Sequence, residues 1–106
     1  MENNFIKTVI KDHIATVTMD APPVNAQSKE MVEELISVFD ELNETPGVRC
    51  VVLTGAGKCF CAGADIKSRA KVGQGTPGDT NRHLRRAREV GFVIIEMNIP
   101  VIAAVN

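Results

Sequence analysis

The chain has 106 residues, 44% hydrophobic and 24% charged, with a net charge of −1, a composition that suits one ordinary globular domain and excludes a disordered chain. No run approaches the ~20 apolar residues of a membrane-crossing helix, and Met1-Glu2-Asn3-Asn4 lacks the basic and apolar regions of a secretion signal. Three cysteines, Cys50, Cys59 and Cys61, are an odd number and read as free thiols in a reducing compartment, so a cytoplasmic location and no membrane partner are expected.

Phe5 to Ile10 and His13 to Met19 are β-rich runs separated by Lys11-Asp12, which predicts a hairpin with His13 exposed at the turn. The second run alternates Ile14, Thr16 and Thr18 against Ala15, Val17 and Met19, so at least one face is buried. Asp20-Ala21-Pro22-Pro23 breaks the strand and holds the chain extended as far as Ser28, the predicted N-cap of a helix with Glu30 in its first turn. Met31, Val32, Leu35, Ile36, Phe39 and Leu42 recur at helical spacing, Val38 widens the stripe, and Glu33, Glu34, Asp40 and Glu41 take the outer side. Asn43-Glu44-Thr45-Pro46-Gly47 ends the helix. Val48 to Thr54 predicts a strand covered on both faces, because Cys50-Val51-Val52-Leu53 is continuously apolar.

Gly55-Ala56-Gly57 turns the chain. A phosphate loop is excluded there: Val52 stands where its first glycine should be and Cys59 where Ser or Thr should hold magnesium. The dinucleotide pattern fails because Phe60 occupies the third glycine position. Cys59-x-Cys61, with no histidine nearby, is a poor zinc site. The next stretch carries more. Cys61-Ala62-Gly63-Ala64 has only small side chains and meets Asp65, a good helix N-cap, so backbone N–H groups lie open at a strand-to-helix junction and can stabilise negative charge on an approaching oxygen. Small residues are also the ordinary way to turn tightly against a crowded sheet, and residues alone leave both readings open.

A helical turn over Asp65 to Lys71 is expected, then a loop from Ser68 to Asp79 rich in Gly and Pro. A second long helix is predicted from about Thr80 to Met97, with Leu84, Ala87, Val90, Val93, Ile94 and Met97 on one stripe and the arginines opposite. Asn98-Ile99-Pro100 leads into a last strand, Val101 to Val105. This order of elements is that of an α/β fold with crossover connections.

Charge is uneven: residues 1 to 56 carry four basic and nine acidic side chains, residues 57 to 106 eight basic and four acidic. Arg82, Arg85, Arg86 and Arg88, with Lys67, Arg69 and Lys71, either supply positive potential for the phosphates of a nucleotide-containing ligand or form a solvated helix face. A nucleic-acid partner is not expected, since no Trp or Tyr is present for bases to stack on.

Phe60-Cys61-Ala62-Gly63-Ala64-Asp65-Ile66-Lys67 resembles the F-x-A-G-A-D-[IL]-K segment of the enoyl-CoA hydratase/isomerase (crotonase) family. Pro23-Val24-Asn25-Ala26 resembles that family's P-x-N-A segment, and Pro100-Val101-Ile102-Ala103-Ala104-Val105-Asn106 its P-V-I-A-A-V-N strand. The resemblance implies the opening portion of the crotonase (ClpP/crotonase-like) spiral of β-β-α units. It implies an acyl-coenzyme A thioester as substrate, no bound cofactor, and a homotrimer or dimer of trimers. It also implies that the backbone N–H of Ala64 is one of two donors to a thioester enolate, with Val24, Ala26, Ala62, Asp65, Ile66 and Lys67 along the coenzyme and acyl path. The family continues past V-N into a glycine-rich loop carrying the second donor, then into the elements that usually supply catalytic carboxylates. Residues 1–106 are therefore expected to be the N-terminal part of one such domain, inactive or nearly so alone. Two other readings keep the same motifs: a non-catalytic acyl-CoA or protein-binding module, and an RNA-binding relative, against which the acidic Ser28 to Glu44 segment argues.

Overall fold

The computed structural model describes residues 3–63 and 76–106. Its 4-stranded sheet holds β1 (Ile6–Lys11), β2 (Ile14–Met19), β3 (Cys50–Gly55) and β4 (Val101–Ala104) side by side in chain order. β1 and β2 are antiparallel, with Ile6 opposite Met19 and Lys11 opposite Ile14. Their turn is Asp12-His13, one residue later than expected, with φ of 52° and 68°. Two successive left-handed residues match the twist of the flanking strands, which a two-residue hairpin requires.

β2, β3 and β4 run parallel. Helix α1 (Lys29–Asn43) therefore fills the β2–β3 crossover and helix α2 (Pro77–Ile95) the β3–β4 crossover. Both crossovers step across the sheet in the same direction, so if both are right-handed they fall on the same side. That side holds the core. Ala15, Val17 and Met19 of β2 and Val51 and Leu53 of β3 pack against Met31, Leu35, Val38, Phe39 and Leu42 of α1, none more than 8% exposed. On the other face Thr16, Thr18, Val52 and Thr54 are half-buried while Val9, Ile14 and Ile102 are exposed. β3 is thus fully covered on one face only, not on both.

The Ser28 hydroxyl accepts the Met31 N–H at 3.1 Å and caps α1 as the sequence predicts. Ser28→Ala is expected to cost about 1 kcal/mol, read as a lower urea midpoint. Glu34 departs from its predicted outward place: it is buried, and its Oε1 accepts the Phe5 N–H at 3.0 Å. A backbone donor at the edge of the sheet gives this carboxylate its reason to point inward.

α2 begins three residues earlier than predicted, so Pro77 to Asp79 are helix rather than loop. The Thr76 hydroxyl accepts the Asp79 N–H and the Asp79 carboxylate accepts the Thr76 N–H, each at 3.1 Å, with Pro77 in the first turn. This is a capping box, and its hydrogen bonds hold the Asp79 carboxyl below its ordinary pKa. The predicted stripe is also rotated. Val90, Val93, Ile94 and Met97 pack on the core, but Leu84 and Ala87 are exposed. Each three-residue step falls about 60° short of a full turn at 3.6 residues per turn, so a stripe drawn by threes from Leu84 drifts off the buried face.

Arg86 sits on that buried side instead. Its Nε donates to Glu33 Oε1 of α1 at 2.7 Å and its terminal nitrogens reach Glu33 Oε2 and Glu89. The hydrogen bond from Arg86 draws the Glu33 carboxyl below its ordinary value of 4.5. Since folding lowers this pKa, the pair stabilises the fold fully above that ordinary value and loses its contribution as pH falls through the folded value. Both side chains are more than a third exposed, so the coupling expected in a double-mutant cycle of Glu33→Gln and Arg86→Met is only about 0.2–1 kcal/mol. Urea midpoints at neutral pH measure it, and it should vanish in acid.

Candidate functional site

At the C-terminal ends of β2 and β3 the chain turns twice, and the two turns interlock. At the end of β3, Gly55 stands where a Cβ would lie 2.5 Å from the carbonyl oxygens of both Cys59 and Phe60. The loop folds back over its own start, and only glycine leaves it room. The Ala56 N–H donates to Met19 O at 2.8 Å, which carries the β2–β3 register into this turn.

After β2, Ala21 to Asn25 turn through a cis Pro22–Pro23 bond, and Asn25 adopts φ of 54°. Asn25 is buried, and every polar atom of its side chain is used. Oδ1 accepts the Ala21 N–H at 2.8 Å, while Nδ2 donates to Ala56 O at 3.1 Å and Cys59 O at 2.7 Å. The next residues continue the contact. The Ala62 N–H donates to Val24 O at 3.0 Å and the Gln27 N–H to Gly63 O at 2.7 Å. Residues 24–27 therefore hold residues 59–63 along their length. Gly63, at φ of 97°, ends this paired segment in the left-handed conformation that the small-residue run permits.

From the other side, Asn106 Nδ2 donates to Gly55 O at 2.9 Å and Gly57 O at 2.7 Å, and its Oδ1 faces the Gly55 N–H at 3.4 Å. Thr54 Oγ1 donates to Ala104 O at 2.9 Å beside it. The described part of the Phe60–Lys67 motif, residues 60–63, thus lies with the other two motifs at the exit of β3.

The structure brings Val24, Ala26 and Ala62 into this neighbourhood. Val24 and Ala26 line a hollow of about 350 Å3 with Phe5, Ala21 and Pro23, and Ala62 is exposed beside Val24. Ala64, Asp65, Ile66 and Lys67, with the expected helical turn to Lys71 and the start of the loop after it, lie outside the described residues. Sequence reasoning did not single out Asn25 or Asn106 as site-forming. Asn25 had a signal, a polar residue between Val24 and Ala26 just after two prolines, where asparagine readily takes a left-handed turn.

Of the four arginines on α2, Arg82 pairs with Asp79 and Arg86 with Glu33 and Glu89. Arg85 and Arg88 line an open groove of about 810 Å3 with Asn81, Leu84 and Ala87. Cys50, Cys59 and Cys61 are half-buried free thiols, and Cys61 Sγ accepts the Gly63 N–H at 3.4 Å. Among the described residues no helix is long and apolar enough to cross a membrane.

Comparison with known proteins matches residues 9–106 to the family described as Enoyl-CoA hydratase/isomerase. The Mycobacterium tuberculosis enoyl-CoA hydratase EchA19 is 41% identical over 71 residues, 66% of this chain and 26% of its own. The mevalonyl-coenzyme A hydratase of Beauveria bassiana is 37% identical over 100 residues, 89% of this chain and 36% of its own. The crystal structure of an enoyl-CoA hydratase from Bacillus anthracis superposes with a TM-score of 0.87 at 30% identity, over 97% of this chain and 40% of that one. The chain spans about 40% of the length of relatives such as YngF of Bacillus subtilis, 35% identical over 108 residues. With the sheet, the two crossovers and the described parts of three motifs converging at one strand exit, the chain belongs to the enoyl-CoA hydratase/isomerase (crotonase) family, and its α/β fold is the crotonase fold.

Proposed function

We propose that residues 1–106 form the N-terminal part of one crotonase-like domain, in an enzyme that hydrates or isomerises the double bond of an acyl-CoA thioester. The Ala64 N–H is one of its two oxyanion donors. The observation that carries this reading is the pinned segment: residues 59–63 are held by residues 24–27 at hydrogen-bond distances of 2.7–3.0 Å, and Gly63 turns the chain at φ of 97° just before Ala64. Oxyanion donors are effective when they need not reorganise as charge develops on the thioester oxygen, and the described contacts fix the backbone as far as Gly63. Val24, Ala26 and Ala62, with Asp65, Ile66 and Lys67, line the coenzyme and acyl path.

No cofactor is needed for this chemistry. The catalytic carboxylates and the second donor belong to the remaining length typical of the relatives, so the 106-residue chain alone turns over neither substrate. Three free thiols suit a cytoplasmic enzyme, and the full-length protein assembles as a homotrimer or dimer of trimers. Assays of the full-length protein on crotonyl-CoA and on a 3-enoyl-CoA test the reading. Turnover of either is expected; turnover of neither would refute the reaction class, and failure to bind an unreactive acyl-CoA analogue would refute the thioester assignment.

A further inference from the structure

Asn25 and Asn106 approach the same short loop from opposite sides, and between them they take the carbonyls of Gly55, Ala56, Gly57 and Cys59. We infer that these two carboxamides are positioning residues: they form a clamp that sets the backbone leading to the Ala64 N–H, and so the efficiency of the chemical step. The inference rests on the oxyanion role proposed for Ala64.

The geometry is more than local capping. Asn25 reaches Ala56 and Cys59 across 31 and 34 positions, and Asn106 reaches Gly55 and Gly57 across 51 and 49. A carboxamide is the side chain of this size that can donate two hydrogen bonds and accept another in one plane, and both asparagines use this capacity on the main chain. Main-chain carbonyls fixed in this way fix the peptide planes they belong to, and Val24 O and the Gln27 N–H, on either side of Asn25, hold the later ones at Ala62 and Gly63. Asn25 acts directly upstream of the Ala62 and Gly63 contacts, so slack at Cys59 is passed along the backbone that ends, among the described residues, at Gly63. A misplacement of about 1 Å can cost on the order of 10²-fold in rate.

Asn25→Asp separates this role from mere folding. Aspartate tolerates the left-handed φ and can still accept the Ala21 N–H, but it has no donor for Ala56 O or Cys59 O. In the full-length enzyme it is expected to lower kcat for crotonyl-CoA roughly 10- to 100-fold with KM changed by less than about threefold, and to speed amide hydrogen exchange in a peptide spanning residues 57–64. Asn106→Ala tests the other arm by removing the donor to Gly55 O and Gly57 O without introducing a charge, and keeps the question answerable if Asn25→Asp fails to fold. The same kcat-selective loss is expected. If either folded variant keeps the parent's kcat while Ala64→Pro abolishes most of it, the clamp is overturned and the oxyanion assignment survives. If Ala64→Pro also leaves kcat intact, both fall. A rise in KM with kcat unchanged would likewise overturn the clamp, because it would place the asparagines in ground-state binding.

Discussion

Ala64→Pro in the full-length enzyme is expected to lower kcat for crotonyl-CoA by about 10²–10³-fold, the usual cost of deleting one oxyanion donor. Proline has no N–H and locks φ near −65°, so it removes the donor itself. In the proposed role the loss should fall on kcat more than on KM, because the charge an oxyanion donor meets is larger in an enolate-like transition state than in a bound thioester. Ala64→Gly keeps the N–H and should retain far more of the parent's kcat than the proline variant does. Steady-state loss of enoyl absorbance measures both variants, and full activity in the proline variant would remove this amide from the mechanism.

The second large effect is expected at Gly55. Alanine there would bring a Cβ to 2.5 Å from two carbonyl oxygens and 2.7 Å from Phe60 Cα, all of them backbone. A flexible side chain could move aside; a main chain clamped by two asparagines cannot do so cheaply. The expected destabilisation is at the upper end of overpacking, about 3 kcal/mol or more. Gly57→Ala is the natural control. Its site is open but left-handed, at φ of 75°, which predicts a smaller loss of about 1–2 kcal/mol. Urea denaturation of the full-length protein should rank the two in that order; equal losses would mean that the crowding at Gly55 relaxes.

Where a local pattern decides an element, the sequence was readable. The apolar period of α1, its Ser28 cap and the alternation along β2 all follow from neighbours within a turn or two. The start of α2 was readable in principle, since Thr76-Pro77-Gly78-Asp79 contains a cap, a first-turn proline and a capping-box acid, but its Gly and Pro content resembled loop. One-sided coverage of β3 was not readable, because an apolar run says nothing of which side the crossovers take. The inward place of Glu34 has no local sign, because its partner Phe5 is 29 positions away, and of the three partners of Asn25 only Ala21 is near, with Ala56 and Cys59 31 and 34 positions away. Of the site itself, composition suggested the open small-residue junction, while the contacts that pin it are long-range hydrogen bonds with no local signature.

The Asn106 clamp bears on the order in which the molecule assembles. β1 and β2 close a hairpin across two residues, a contact reached in microseconds. Asn106 can reach Gly55 and Gly57 only after about fifty further residues have been made and β4 has docked. Contacts of such sequence separation form late, because loop-closure entropy opposes them until the rest of the sheet is in place. During synthesis the hairpin and α1 would therefore settle first, and the turn at Gly55 to Gly57 would take its final shape only once the third motif has emerged.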